Sequence, residues 1–418
     1  MKSWCQTTMG QMLRVGHGFA FKGEYFSEAG DLVVLTPGNF HERGGFRARP
    51  DKDRFYQGKF PDRYLLKRND LIVAMTEQGE GLLGSSAFIP ESGQFLHNQR
   101  IGLVHAKPDA ADEKFLFYLF NSDYVRQQIR NSSSGAKVRH TSPERIYRVK
   151  VLAPDKPTQQ KIAAILSAYD ELIENNRRRI ALLEKLAEEI YREWFVRLRF
   201  PGHDKVRVVK GVPQGWERKG LSSLGTFLNG YAFEPSDWGS EGIPIIKIKE
   251  MTSGVTSDTP RNSGEQVPAK YHFDDGVIIF SWSATLMVLI WDQGQGLLNQ
   301  HLFKVDPAPD ISKTFLYFSI KFSIPIFESL TTGATMQHIK RKELDFVKVN
   351  LPPAGLLKQF DEMVSPILEQ KLSLTTANRK LIETRDKFLP RLISGKLSVE
   401  NLDIQFPPGM AEEMEAIE

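Results

Sequence analysis

The stretch ESGQFLHNQR, Glu91 to Arg100, recurs in altered form as DQGQGLLNQH, Asp292 to His301, with Gly, Gln, Leu, Asn and Gln at matching places and an offset of 201. If two halves of the chain descend from one unit, the match extends on both sides and the offset drifts only where loops differ in length. It does extend. Trp4 pairs with Trp216, and GFAF (Gly18 to Phe21) with GYAF (Gly230 to Phe233), at an offset of 212. FLFY (Phe115 to Tyr118) answers FLYF (Phe315 to Phe318) at 200, and SGAKVRH (Ser134 to His140) answers TGATMQH (Thr332 to His338) at 198. Ile146 to Val151 answers Leu344 to Val349 at the same 198. Ordered blocks with a shrinking offset define a tandem duplication whose unit is about half the chain, too long for a solenoid repeat.

Each half has two unlike parts. From Trp4 to about Pro154, and from Trp216 to about Pro353, short β-rich runs such as DLIVAM (Asp70 to Met75) and GVIIFSW (Gly276 to Trp282) alternate with Gly, Pro and Asn turns and shorter helical patterns. Each such region reads as an α+β globule of ordinary domain size. The texture then changes. From Gln159 to Val196 there is neither Gly nor Pro, and Ile162, Ile165, Tyr169, Leu172, Leu183, Leu186 and Ile190 fall on a heptad seam, flanked by Leu166, Ile173, Ile180 and Ala187. This predicts one long amphipathic helix of roughly 50–60 Å at ~1.5 Å per residue. A second, from about Leu356 to Lys387, places Phe360, Ile367, Leu374, Leu381 and Phe388 at successive sevens, with Pro366 expected to kink or divide it.

Apolar stripes of this length need a partner, and the economical solution is that the helices pack on each other. The duplication favours an antiparallel coiled coil with pseudo-twofold symmetry. Asn176 and Arg179 interrupt the first seam and Asn378 lies just off the second; they are either buried register-setting residues or a solvent-facing bend. The expected fold is therefore α+β, with two similar globules in tandem, each followed by a long helix. The boundaries are 1–154, 155–200, 201–353 and 354–400, with a tail, 401–418, expected to be disordered.

Composition limits the function classes. The 418 residues are 41% hydrophobic and 25% charged, enough to bury two cores. No apolar run approaches the ~20 residues of a membrane span and the first residues lack a signal-peptide core, so a soluble, cytoplasmic protein is expected. The single cysteine, Cys5, excludes an internal disulfide and a multi-cysteine zinc site, and is expected to be packed. A net charge of +4 permits nucleic-acid binding without establishing it. Two similar globules at the ends of such a rod would match a ligand with two separated sites, such as duplex DNA with split half-sites, where one turn spans ~34 Å.

Motifs for catalysis are missing from the sequence. NLPP (Asn350 to Pro353) lacks the spacing and aromatic of an adenine methyltransferase motif, and there is no Walker A sequence. GEGLLG (Gly79 to Gly84) fits Gly-x-Gly-x-x-Gly formally but precedes no helix pattern, so a turn is expected. Asp112 and Glu113 read as favourable charges at a helix N-terminus.

At this point PTQQKIAAILSAYDELIENNRRRIALLEKLAEEIYREWFV (Pro157 to Val196) resembles the central conserved region of the specificity subunits of type I restriction-modification systems. TRDKFLPRLISGKLSV (Thr384 to Val399) resembles their C-terminal conserved region, and NGYAF and GATMQHIKRKEL resemble motifs of their target-recognition domains. The resemblance covers nearly the whole chain in the order recognition domain, helix, recognition domain, helix. It implies a non-catalytic subunit that reads a bipartite double-stranded DNA site, one half-site per globule, and binds two methyltransferase subunits for adenine methylation. S-adenosylmethionine would be bound by that partner, while ATP and magnesium would belong to a restriction/translocase subunit. A related system with methylation and cleavage fused in one partner would use a similar chain, and a structural adaptor whose globules bind proteins is the reading from another class. The adaptor predicts no salt-dependent DNA affinity.

The candidates for DNA contact are the paired loops SSSGAKVRH and TTGATMQHIKRK, through Lys137, Arg139 and His140 in one and Gln337, His338, Lys340 and Arg341 in the other. A basic stretch carries Arg43, Arg47, Arg49, Lys59 and Arg63 with Phe46, Phe55 and Tyr56 interleaved, and the second globule carries Lys247, Lys249, Arg261 and Lys270 more thinly. Asn98-Gln99 and Asn299-Gln300 are expected to bond the backbone rather than reach bases.

Overall fold

The computed structural model describes residues 4–77, 81–330, 339 and 341–406, with Arg341 described by its backbone. By internal contacts the chain divides into two units, Met1–Leu172 with Leu381–Glu418, and Ile173–Lys380.

In the first unit the apolar run after Asp70 becomes the strand Leu71–Ala74, which lies inside an antiparallel sheet in the order 13–17, 101–106, 71–74, 86–88. Alternation of side chains along a strand explains why the run is continuously apolar. Leu71 and Val73 enter one core, with Leu13, Val15, Val104 and the helices Glu113–Phe120 and Asp123–Asn131, while Ile72, Ala74 and Ile101 enter another on the opposite face. Both helices start as their sequences direct: Asp112 accepts from the Phe115 amide at 2.9 Å, and Ser122 caps the next. Burial raises the Asp112 carboxyl above the usual carboxylate range. A second sheet, in the order 26–27, 55–56, 33–34, 95–96, carries the ESGQFLHNQR stretch, with Val33 beside Phe95 and Val34 beside Leu96 in a parallel pair. Strand Cys5–Thr8 pairs with Lys150–Ala153 and ties the start of the globule to its end. Cys5, expected to be packed, is exposed, because this pair is only two strands wide and presents an outer face.

The second unit repeats the pattern. Its antiparallel sheet runs 225–229, 302–307, 278–281, 287–290, again with alternate residues in two cores, Ile278 and Phe280 on one face and Ile279 on the other. Ile245 and Ile246 lie parallel to Leu297 and Leu298, as Val33 and Val34 lie to Phe95 and Leu96. Glu217–Gly220 pairs with Lys348–Leu351 as Cys5–Thr8 pairs with Lys150–Ala153. The repeated stretch now has a physical explanation. Phe19 bridges to Asn98 and Tyr231 to Asn299, and the preceding glycines, Gly18 and Gly230, let the chain pass so close that a Cβ would sit 2.1 Å from the carbonyl oxygen of Asn98 or Asn299.

The central helix is Lys156–Tyr191, followed by a π-helical turn, Arg192–Val196; the C-terminal helix is Ala354–Ile393. Pro366 does not divide the latter. It lies at an exposed position, where water can satisfy the Glu362 carbonyl that loses its helical partner. Within the second unit Asn176 faces Asn378, Glu184 faces Lys371 at 3.4 Å and Tyr191 faces Phe360 at 6.0 Å, so the two helical segments run antiparallel. Within the first, Lys161 reaches the Leu402 carbonyl and Tyr169 lies 6.1 Å from Phe388, again antiparallel.

The buried line on the central helix is Ile162, Leu166, Ile173, Asn176 and Ala187, with Ile165, Tyr169, Ile180, Leu183 and Ile190 half-buried. Leu172 and Leu186, assigned to the seam from heptad spacing, are 48% and 50% exposed. The stripe advances by alternate threes and fours through 166, 169, 173, 176, 180, 183 and 187; 172 and 186 lie one residue before it, about 100° around the helix. On the C-terminal helix Phe360 is fully buried, and Ile367, Leu374, Leu381 and Phe388 are half-buried. Residues 401–406, assigned to the tail, are packed in part: Ile404 and Phe406 lie against the first unit's core. No helix among the described residues is long and apolar enough to cross a membrane.

Candidate nucleic-acid interface

The loop SSSGAKVRH closes on itself. Ser134 and His140 exchange two backbone hydrogen bonds, and Arg145 donates to the Ser134 hydroxyl at 2.8 Å and the His140 carbonyl at 3.1 Å. Lys137 and His140 are exposed and Arg139 is half-buried. Arg139–His140 pairs with Thr76–Glu77, so the loop is fixed to the strand that leaves the central sheet, and Thr76 Oγ1 lies 3.2 Å from His140 Nδ1. Thr141 continues the attachment by donating its amide to the Met75 carbonyl. In the second unit Ile339 donates to the Trp282 carbonyl, the equivalent bond. Gln337, His338 and Lys340 lie outside the described residues, and Arg341 begins the helix Arg341–Phe346.

The basic stretch of the first unit separates into two populations. Phe46 packs 5.0 Å from Phe95 and Tyr56 is buried in an aromatic cluster, so the interleaved aromatics are core rather than a stacking platform. Arg43 is exposed but pairs with Asp386 at 2.8 Å. Asp386 also binds Arg385, and Arg385 reaches Asp170 at 2.5 Å, which accepts the buried Tyr118 hydroxyl at 2.6 Å. Burial, reinforced by the Asp170 charge, pushes the Tyr118 phenol well above its ordinary range. Arg43 thus ties the globule to the end of the C-terminal helix. Arg47 is exposed and Arg49 half-buried, while Lys59 and Arg63 are exposed, Arg63 lying 5.0 Å over the Tyr64 ring. In the second unit the Lys247 ammonium sits 3.8 Å over the Trp238 ring, Lys249 is exposed, Arg261 donates to the Gly242 carbonyl, and Lys270 lies over Tyr271.

Asn98 accepts from the Arg100 amide at 3.2 Å and Asn299 from the His301 amide at 3.5 Å, so both asparagines of the repeated stretch bond backbone two residues on. His97 is buried with Nε2 2.8 Å from the Ile101 carbonyl, and burial pushes its imidazole below the ordinary range. Of the glycine-rich stretch, Gly79 lies outside the described residues. Beyond it the amides of Gly81, Leu82 and Leu83 all donate to the Glu77 carboxylate at 2.9–3.2 Å, so the turn is closed by the chain's own anion where a phosphate cradle would need a vacant nest.

Spacing and charge did not single out Asn229 and Trp282, which gather with His301 where the strand Ile278–Ser281 ends. The Trp282 indole donates to Asn229 Oδ1 at 3.0 Å, and its ring lies 6.0 Å from that of His301. Part of the signal lies in the repeat, because Asn229 adjoins the matched GYAF and His301 ends the matched DQGQGLLNQH, with His17 and Arg100 as counterparts of different chemistry, while the correspondence of Trp282 with Met75 is set by strand register.

A family model described as Type I restriction modification DNA specificity domain matches residues 1–185 and 213–384. The chain is similar to the type I restriction enzyme MjaIX specificity subunit of Methanocaldococcus jannaschii, 26% identical over 308 residues, covering 70% of this chain and 71% of that one. It is also similar to the HindI specificity subunit of Haemophilus influenzae, 22% identical over 404 residues, covering 79% and 87%. In fold it is similar to the crystal structure of the type I restriction-modification S subunit from M. genitalium, with a TM-score of 0.59 at 15% identity over 93% of this chain and 96% of that one.

Proposed function

This chain belongs to the type I restriction-modification DNA specificity family, as a specificity subunit with two recognition domains, and on that premise we propose that it reads a bipartite DNA site, one half-site per recognition domain. The observation that carries this reading is the repeated strand order of the two units, with the same register around the repeated stretch and different side chains at the strand ends and loops. A scaffold kept constant while its loops diverge is what two different half-sites require.

The central and C-terminal helices set the spacing of the half-sites and carry two methyltransferase subunits, which bind S-adenosylmethionine and methylate adenine. A restriction/translocase subunit using ATP and magnesium joins the same complex, which works in the cytoplasm. Lys137, Arg139, His140, Arg47, Arg49 and Lys249, with Gln337, His338, Lys340 and Arg341 of the second loop, supply phosphate and base contacts. Arg43 and Lys247 fit this role less well, since each is held by its own domain or helix.

The test is single-molecule sequencing of adenine methylation in cells expressing this chain with its neighbouring methyltransferase, and in cells expressing the methyltransferase alone. A single split motif that depends on this chain is expected. Absence of a motif with an active methyltransferase and a folded chain would favour the protein-binding adaptor.

A further inference from the structure

The repeat gives an internal control for locating base readers. In the first unit Ala74 pairs with Ile101, so Met75 and Arg100 are the next residues outward, and the Met75 amide donates to the Arg100 carbonyl. In the second, Ser281 pairs with Leu302, and Trp282 and His301 occupy the same places with the same backbone bond. His17, paired with Gly102, corresponds to Asn229, paired with Phe303. The backbone is therefore held constant while Met75, Arg100 and His17 are exchanged for Trp282, His301 and Asn229. Two buried polar side-chain atoms without a hydrogen-bond partner among the described residues, Thr141 Oγ1 and His301 Nδ1, belong to residues attached to this same place in each unit. Orphaned polar atoms are rare in a folded chain and mark a place where a ligand or water completes the bonding.

The second unit's group is organised for one kind of ligand. An indole N–H can only donate, so its bond at 3.0 Å requires the Asn229 amide to turn its oxygen inward to Trp282. Asn229 is exposed, and this bond leaves its amide NH2 and the second lone pair of Oδ1 uncommitted. That donor and acceptor pair matches N7 and the N6 amino group of adenine in the major groove. Trp282 is itself braced by the rings of His301 at 6.0 Å and Phe303 at 5.8 Å.

We propose that Asn229 reads an adenine in the half-site of the second recognition domain, with Trp282 as the positioning residue that fixes its amide. This rests on the DNA-reading function proposed above and adds residues to it. The first domain, with His17 and Arg100 exposed at the equivalent positions and Met75 buried, has no indole to orient an amide and reads a different base pair there.

The experiment takes the full chain co-expressed with its methyltransferase, determines the methylated motif, and then measures binding of the purified complex to duplexes carrying that motif and its single-base variants. Asn229→Ala should lower discrimination at one A·T pair of one half-site by about tenfold to hundredfold, the range of a bidentate base contact, and leave the other half-site unchanged. Asn229→Asp, which keeps acceptors and removes the amide donors, should move preference at that pair towards cytosine. Trp282→Phe should weaken discrimination at the same pair by less. Unchanged preference at every position, or a uniform loss on all duplexes, would overturn the assignment to Asn229 while leaving the specificity-subunit reading intact. A parent complex with no split motif would instead remove that reading and this assignment with it.

Discussion

Asn176 and Asn378 form a small buried device in the second unit. The Asn176 amide donates to Asn378 Oδ1 at 2.9 Å, the Asn378 amide donates to the Ile173 carbonyl at 3.1 Å, and the residues are only 5% and 7% exposed. Arg179, the other polar interruption of the stripe, is exposed. A buried polar pair of this kind sets register at some cost in stability. Asn176→Leu leaves the buried Asn378 Oδ1 without its donor, although the Asn378 amide keeps its bond to Ile173, and should destabilise the chain by about 1–3 kcal/mol. The double change Asn176→Leu with Asn378→Leu should recover most of that loss. Chemical denaturation of the four proteins of the cycle checks both statements, and additive losses would mean the side chains do not act as a pair. Sequence spacing marked Asn176 as an interruption but left open whether it faced a partner or water. The partner is 202 positions away, and nothing local to either residue specifies it.

At the scale of elements, the long helices were legible from composition and period, because a segment without Gly or Pro and with a 3.6-residue apolar repeat has few other solutions. Their phase was less legible. Heptad counting and the observed stripe differ by one residue, enough to turn Leu172 and Leu186 outward. Within the second unit, Leu186 and Leu182, which is 67% exposed, leave large apolar side chains on the outer side of the central helix. Under the proposed function this is where a methyltransferase subunit docks. Leu182→Glu combined with Leu186→Glu should therefore abolish co-purification of the methyltransferase and change the stability of the chain alone by no more than about 0.5 kcal/mol, as for other surface substitutions. Undiminished co-purification would move the docking surface elsewhere. The strands were legible where both faces are buried, as in DLIVAM, and the two-residue strands of the second sheets were not, since their pairing is fixed by distant partners.

For the whole molecule, the linear order of domain, helix, domain, helix does not coincide with the compact units. The first unit takes Leu392, Ile393 and Val399 into its core and is tied to the C-terminal segment by Lys161, which donates to the carbonyls of Glu400 and Leu402. Replacing residues 1–154 by another recognition domain should change one half-site and preserve the other, but only if the graft keeps the surface that receives residues 388–406. Methylation sequencing of the chimera reads this directly, and a change in both half-sites would contradict one reader per domain. By itself the sequence determined that the chain holds two copies of one α+β globule and two long amphipathic helices, because duplication and periodicity are properties of residue order. Only the tertiary structure decided which helix end joins which globule, which side of each helix is buried, what Asn176 touches, and that Trp282 orients Asn229. Those outcomes depend on close packing and hydrogen-bond geometry between residues tens to hundreds of positions apart, which local pattern does not encode.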